Sequence, residues 1–197
     1  MNDSDTIETI IKNNNGFIIA AQVTTAGIQR RMLSELVEAK RLYRVARGIY
    51  ALPETWEDEM YFLQYRFAKG VFSYETALYL HGLSDRTPHS YTLTFPHGYN
   101  AAGLKTHNAK AKFAKLEIYG LGITEGKSPL GNPIRVYDVE RTLCDIVRGN
   151  NSCDIQLVNQ AMKAYAGSKE KDMAKLIASA ERLRVKPKIL RYMEVLL

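Results

Sequence analysis

A chain of 197 residues, 46% hydrophobic and 24% charged, is long enough for one ordinary domain plus a small one and too apolar to be disordered over its bulk. A net charge of +6 favours an anionic partner, with nucleic acid first. Two cysteines, Cys144 and Cys153, outside any C-x-x-C pair, exclude a disulfide scaffold and read as free thiols in a reducing compartment.

The opening Met1-Asn2-Asp3-Ser4-Asp5 is polar and acidic, unlike a signal peptide, and the apolar stretch 16–23 is too short to span a bilayer. A cytoplasmic protein without a membrane partner is expected. Thr6 to Lys12 has apolar residues at 7, 10 and 11 and reads as a helix stopped by Asn13-Asn14-Asn15-Gly16. An apolar run from Phe17 to Ala21 leads into a short second helix ending at Gly27. The third helix, over 29–39, puts Ile28, Met32, Leu33, Leu36 and Val37 on one face, and Arg30, Arg31, Ser34 and Glu38 on the other. Leu42-Tyr43-Arg44-Val45 and Ile49-Tyr50-Ala51-Leu52 read as a hairpin turned by Ala46-Arg47-Gly48. Three helices and a hairpin in this order predict a winged helix-turn-helix.

Residues 54–69 read as a linking helix, acidic at its start (Glu54, Glu57, Asp58, Glu59) and basic at its end (Arg66, Lys69). Ser73 is expected to cap a helix closed by Gly82. Tyr91-Thr92-Leu93-Thr94-Phe95, Leu116-Glu117-Ile118-Tyr119 and Ile134-Arg135-Val136-Tyr137 read as strands. Asp138 caps a helix through Val147, and helices near 154–165, 169–183 and 188–197 follow. The fold class is therefore α+β: a winged helix-turn-helix over 1–55, a linking helix over 56–69, and a larger α/β domain with a helical C-terminal part over 70–197.

In a helix-turn-helix the start of the recognition helix meets base edges. Gln29, Arg30, Arg31 and Ser34 occupy that position, and Arg and Gln make bidentate contacts to guanine and adenine. Lys40, Arg41, Arg44 and Arg47 are the expected phosphate contacts, with Arg47 at the hairpin tip. Between Gly27 and Tyr50 six cations face only Glu35 and Glu38. A basic helix face is otherwise simply a solvated one, and winged helices also serve as protein interfaces. Further basic stretches hold Lys105, Lys110, Lys112 and Lys115, and nine cations against Glu170, Asp172 and Glu181 from Lys163 to Arg191.

Three segments carry a family resemblance: Arg44-Val45-Ala46-Arg47-Gly48-Ile49-Tyr50, then Ser73-Tyr74-Glu75-Thr76-Ala77-Leu78-Tyr79-Leu80-His81-Gly82-Leu83, then Arg135-Val136-Tyr137-Asp138-Val139-Glu140-Arg141-Thr142-Leu143-Cys144-Asp145. In this order they resemble the AbiEi antitoxins of type IV toxin–antitoxin, or abortive-infection, systems that act in phage defence. The resemblance implies a winged helix that represses its own operon by binding promoter DNA. It also implies a second domain that neutralises a nucleotidyltransferase-like toxin without needing a stable complex. No catalytic motif, cofactor or metal comes with it, and the expectation is a protein that is not an enzyme.

Enzyme motifs are sparse. Glu125-Gly126-Lys127 has the Glu-x-Lys form of some metal-dependent nucleases, with Asp85 as a second ligand, but Gly126 and Pro129 suggest a turn. His81, His89, His97 and His107 lack the spacing of a helical zinc site. Gly120-Leu121-Gly122 lacks the third glycine of a dinucleotide loop. Asp3-Ser4-Asp5, the one Asp-x-Asp, sits at the chain start, which argues against a nucleotidyltransferase. The alternative is a one-component regulator whose second domain senses a small ligand, with Tyr61, Tyr65, Tyr74, Tyr79 and Tyr91 as candidate pocket residues.

Overall fold

The computed structural model of the chain describes residues 2–55, 57–149 and 153–197. These fall into two units: residues up to Phe62 together with Leu130–Asn132, and Leu63–Pro129 together with Pro133–Leu197. Met1 and Trp56, where the expected winged helix and linking helix begin, lie outside the described residues.

The first unit opens with α1 (Asp3–Asn13), held by a reciprocal cap in which Asn2 and Asp5 exchange side-chain and backbone hydrogen bonds. Ile7 and Ile11, one turn apart, bury against the rest of the unit. The helix stops where Asn15 and Gly16 turn left-handed, with φ of 51° and 89°, and the Gly16 amide returns to the Ile11 carbonyl at 2.9 Å. Then come β1 (Phe17–Ile19), α2 (Ala20–Thr25), α3 (Arg31–Glu38), β2 (Tyr43–Ala46) and β3 (Ile49–Ala51). The strands form an antiparallel sheet in the order β1-β3-β2, with Phe17 and Tyr43 flanking Ala51. This is the helix and hairpin order expected of a winged helix-turn-helix, with β1 as an addition. Ile7, Ile11, Ile18, Val23, Ile28, Leu33 and Leu42 form the core.

The fourth helix, α4 (Glu59–Arg66), is shorter than the 54–69 reading. Its start is set by Asp58, whose carboxylate accepts the Tyr61 amide at 3.0 Å. The other Asp58 oxygen accepts Asn132 Nδ2 at 2.8 Å, and Asn132 Oδ1 accepts Asn15 Nδ2 at 3.1 Å. The division between the units falls inside α4, after Phe62.

The second unit is a five-stranded mixed sheet of β4 (Val71–Phe72), β5 (Tyr91–Pro96), β6 (Ala109–Ala114), β7 (Ile123–Lys127) and β8 (Pro133–Tyr137), ordered β6-β5-β4-β8-β7. β5–β6 and β4–β8 are parallel; β4–β5 and β7–β8 are antiparallel. The helices are α5 (Tyr74–Leu80), α6 (Leu116–Tyr119), α7 (Val139–Ile146), α8 (Ile155–Gly167), α9 (Met173–Arg182) and α10 (Lys186–Leu196). Leu78, Leu143, Met162, Leu176 and Ile189 meet in an apolar cluster between them. Asp138 caps α7 as expected, accepting the Arg141 amide at 2.8 Å.

Three local readings are corrected. Leu116–Tyr119 is a turn of helix, not a strand: the amides of Ile118 and Tyr119 both return to the Lys115 carbonyl, and four residues are too few for the period to decide. Glu125-Gly126-Lys127 lies in β7, not in a turn. A Cβ at Gly126 would stand 2.7 Å from Val136 Cγ1, so the glycine serves a close approach to β8. Ser73 holds the N-cap position of α5 as expected, but its side chain makes no cap bond; its hydroxyl accepts from Thr94 Oγ1 at 2.9 Å instead.

Arg141, on α7, is 1% exposed. It donates to Asp145 Oδ2 at 2.9 Å and to the carbonyls of Ile118 and Leu121 at 2.5 and 3.0 Å, with its guanidinium 4.2 Å from the Tyr137 ring centre. Replacing one member of such a buried pair strands the other charge. Arg141→Met is expected to cost about 3–5 kcal/mol in urea unfolding, and adding Asp145→Leu should restore much of the loss. Equal losses in the single and double variants would show that the carbonyl bonds, not the carboxylate, set the cost.

Candidate nucleic-acid interface

The expected contact residues all belong to the first unit. α3 begins two residues later than the 29–39 reading. Gln29 and Arg30 therefore precede its first turn, with Arg30 as the N-cap residue and Arg31 the first helical one. The helix is anchored by Leu33, fully buried, and by Met32, Leu36 and Val37, partly so. That leaves Gln29, Arg30, Arg31 and Ser34 exposed. The preceding turn is closed by Gly27, with φ of 77°, whose neighbour Ile28 returns its amide to Val23 at 3.0 Å and is itself buried.

The hairpin turn is tighter than Ala46-Arg47-Gly48: β2 runs through Ala46, leaving Arg47 and Gly48 at the tip. Gly48 has φ of 80°, which a side chain resists. The register slips between Arg44 and Ala46, a bulge that increases the twist of the ribbon. Lys40, Arg41, Arg44 and Arg47 are exposed, and Lys40 takes a left-handed φ of 56° just after α3.

Several of these cations have partners within the unit. Arg31 pairs with Glu35 at 2.9 Å, one helical turn on, and Arg41 pairs with Glu8 of α1 at 3.0 Å. Arg30 Nε donates to Thr24 Oγ1 at 2.8 Å, which orients the side chain across the end of α2. Arg44 Nε turns back to the Ala46 carbonyl at 3.4 Å. The i, i+4 spacing of Arg31 and Glu35 is legible in sequence. Glu8 and Thr24 are not, because only the fold brings them near. Both ion pairs are more than half exposed, so each contributes little and an incoming anion can replace it.

In the second unit, Asp85, Glu125 and Lys127 are all exposed, with Glu125 across from Arg135 in the β7–β8 ladder. His81 shares a hydrogen bond of 2.7 Å with the Tyr137 carbonyl, and the His107 ring stands edge-on to Phe67. Among the described residues no group of three or more His, Cys, Asp or Glu side chains is placed to hold a metal. Burial pushes the Cys144 thiol up to about 12, far from a nucleophilic thiolate at neutral pH. Among the described residues no helix is long and apolar enough to cross a membrane. A cavity of about 760 Å³ opens in this unit, and none of the five candidate tyrosines lines it.

Residues 5–53 match the family model described as "Transcriptional regulator, AbiEi antitoxin", the family expected from the sequence. No curated protein matches the chain. The crystal structure of the RV2827C protein from Mycobacterium tuberculosis aligns with a TM-score of 0.48 at 12% identity, over 97% of this chain and 80% of that one.

The hairpin tip offers a direct check on this geometry. Gly48→Val forces a branched side chain into the left-handed region and is expected to cost about 1–2 kcal/mol. Amide exchange should report faster opening of β2 and β3, with the second unit unchanged; uniform protection across the variant would contradict the turn.

Proposed function

We propose, from a first unit that matches the AbiEi antitoxin regulators, that this chain represses its own operon by binding promoter DNA and neutralises the toxin encoded beside it. The observation that carries the DNA reading is the division of α3. Its apolar stripe is buried in the first unit, while Gln29, Arg30, Arg31 and Ser34 face solvent beside a hairpin tipped by Arg47. α3 enters the major groove, and its first turn, with Gln29 and Arg30 just before it, reads base edges. Arg47 meets a phosphate or the minor groove, and Lys40, Arg41 and Arg44 meet the phosphate backbone.

The internal ion pairs refine this. On binding, Arg31 exchanges Glu35 for a base and Arg41 exchanges Glu8 for a phosphate, so both acids oppose DNA binding in the free protein. Glu8→Gln should then tighten binding to every sequence alike. The second unit acts on a nucleotidyltransferase-like toxin without a stable complex, and the protein has no catalytic activity of its own. Its site of action is the cytoplasm, where both the promoter and the toxin are found.

Gel shifts on the promoter test the DNA half. Arg30→Ala and Arg31→Ala are each expected to cost about 1–3 kcal/mol on the specific site and to relax base preference locally. Arg47→Ala should weaken all sequences alike and lower the salt dependence by about one counterion. Unchanged binding by the Arg30→Ala, Arg31→Ala double variant ends the assignment. The antitoxin half is tested by growth with the adjacent gene induced. The same double variant should still protect cells while a promoter reporter is derepressed. Failure of the wild-type chain to protect rules out the antitoxin role but leaves the repressor role standing.

A further inference from the structure

The 760 Å³ cavity of the second unit lies in the range that accepts a small organic molecule, and its walls combine apolar and cationic side chains. On α8, Ile155, Asn159 and Lys163 recur at four-residue spacing and so share a face. On α10, Lys188, Arg191 and Val195 recur at spacings of three and four. The floor is aliphatic, with Val158 2% exposed, while Ile155 and Val195 stand 61% and 84% exposed at the mouth. Large apolar side chains left in water around a concavity mark a surface that gains by being covered.

The charge is one-sided. Lys163, Lys188 and Arg191 all contribute to the wall, and no carboxylate does among the described residues. Lys188 Nζ donates to the Val147 carbonyl at 2.9 Å, which fixes the ammonium at the end of α7 and leaves two of its three donors for a ligand. A cleft with cations of one sign and low-dielectric walls concentrates the potential felt by an anion.

We propose that this cavity binds an amphipathic organic anion: an alkyl or aryl body held by Ile155, Val158, Val195 and Leu196, ending in a carboxylate or phosphate held by Lys163, Lys188 and Arg191. The site is separate from the promoter-binding residues and does not rest on the antitoxin reading.

The test uses the full chain with decanoate below its micellar concentration, and with decanol and decyltrimethylammonium as neutral and cationic counterparts. Calorimetry should show decanoate binding about tenfold or more tightly than decanol, since a charge-assisted contact is lost in the alcohol. The cationic probe should not bind. Methyl resonances of Ile155, Val158 and Val195 should shift with decanoate. Lys163→Glu with Arg191→Glu should abolish the preference for the anion; both side chains are exposed, and Lys163→Gln with Arg191→Gln provides a milder variant if the charge reversal perturbs folding. Equal affinity for decanoate and decanol overturns the proposal, as do methyl shifts confined to other parts of the unit. Binding to anionic vesicles without binding to free decanoate would assign the patch to a membrane surface instead. Self-association abolished by Ile155→Glu, without decanoate binding, would assign it to a second copy of the chain.

Discussion

The guanidinium of Arg141 is almost completely enclosed, so the groups around it must answer a full positive charge. The answers come from separate stretches of chain. Asp145 supplies a carboxylate one turn along α7, Ile118 and Leu121 supply carbonyls at the end of α6, and Tyr137 supplies a ring face from β8. The backbone at Gly122 passes so close that a Cβ there would come within 2.8 Å of Arg141 Cβ, and its φ of 72° favours glycine. The strand end, the short helix and the glycine turn are thus all positioned by one side chain. The balance is incomplete, since Asp145 Oδ1 finds no hydrogen-bond partner and burial raises the Asp145 pKa against the pull of Arg141.

A second polar network ties the C-terminal helices to the same α7. Lys175 of α9 bridges Asp138 and Glu140 at 3.1 and 3.2 Å. The Tyr165 hydroxyl of α8 donates to Glu140 at 3.1 Å and accepts the amide of Asp172, which caps α9. Burial next to Glu140 drives the Tyr165 pKa upward, so this hydroxyl remains a donor at any ordinary pH. The apolar cluster beneath supplies non-directional cohesion, while these bonds set the register of α8 and α9 against α7. The first unit relies on a smaller core of isoleucine, leucine and valine, and its exposed ion pairs add little to that cohesion.

Much of this was legible in the sequence where the signal was periodic or chemical. The α3 stripe, the hairpin around Gly48, the Asp138 cap and the stop at Asn15-Gly16 follow from side-chain spacing and from the few residues that tolerate left-handed backbone. Elements that depend on a distant partner were not legible. β1 is three apolar residues, which suit a helix or a strand equally. β6 reads Ala-Lys-Ala-Lys-Phe-Ala, with little strand preference of its own, and becomes a strand by pairing along its whole length with β5. The exposure of Arg31 and Ser34 followed from the helix period, and that of Arg47 from its place at the hairpin turn. The partners of Arg41 and Arg30 did not, because Glu8 and Thr24 reach them through the fold.

Asp58 and Asn132 are 74 positions apart in the chain, yet both belong to the first unit. A ribosome adding about 5–20 residues each second needs several seconds to pass from one to the other. During that interval the N-terminal helices and hairpin have emerged, but the amide that holds the second Asp58 oxygen and meets Asn15 has not yet been synthesised. The first unit is therefore begun early in translation and finished late, and a truncated product ending before Asn132 carries the whole basic surface on a scaffold still missing its last strut.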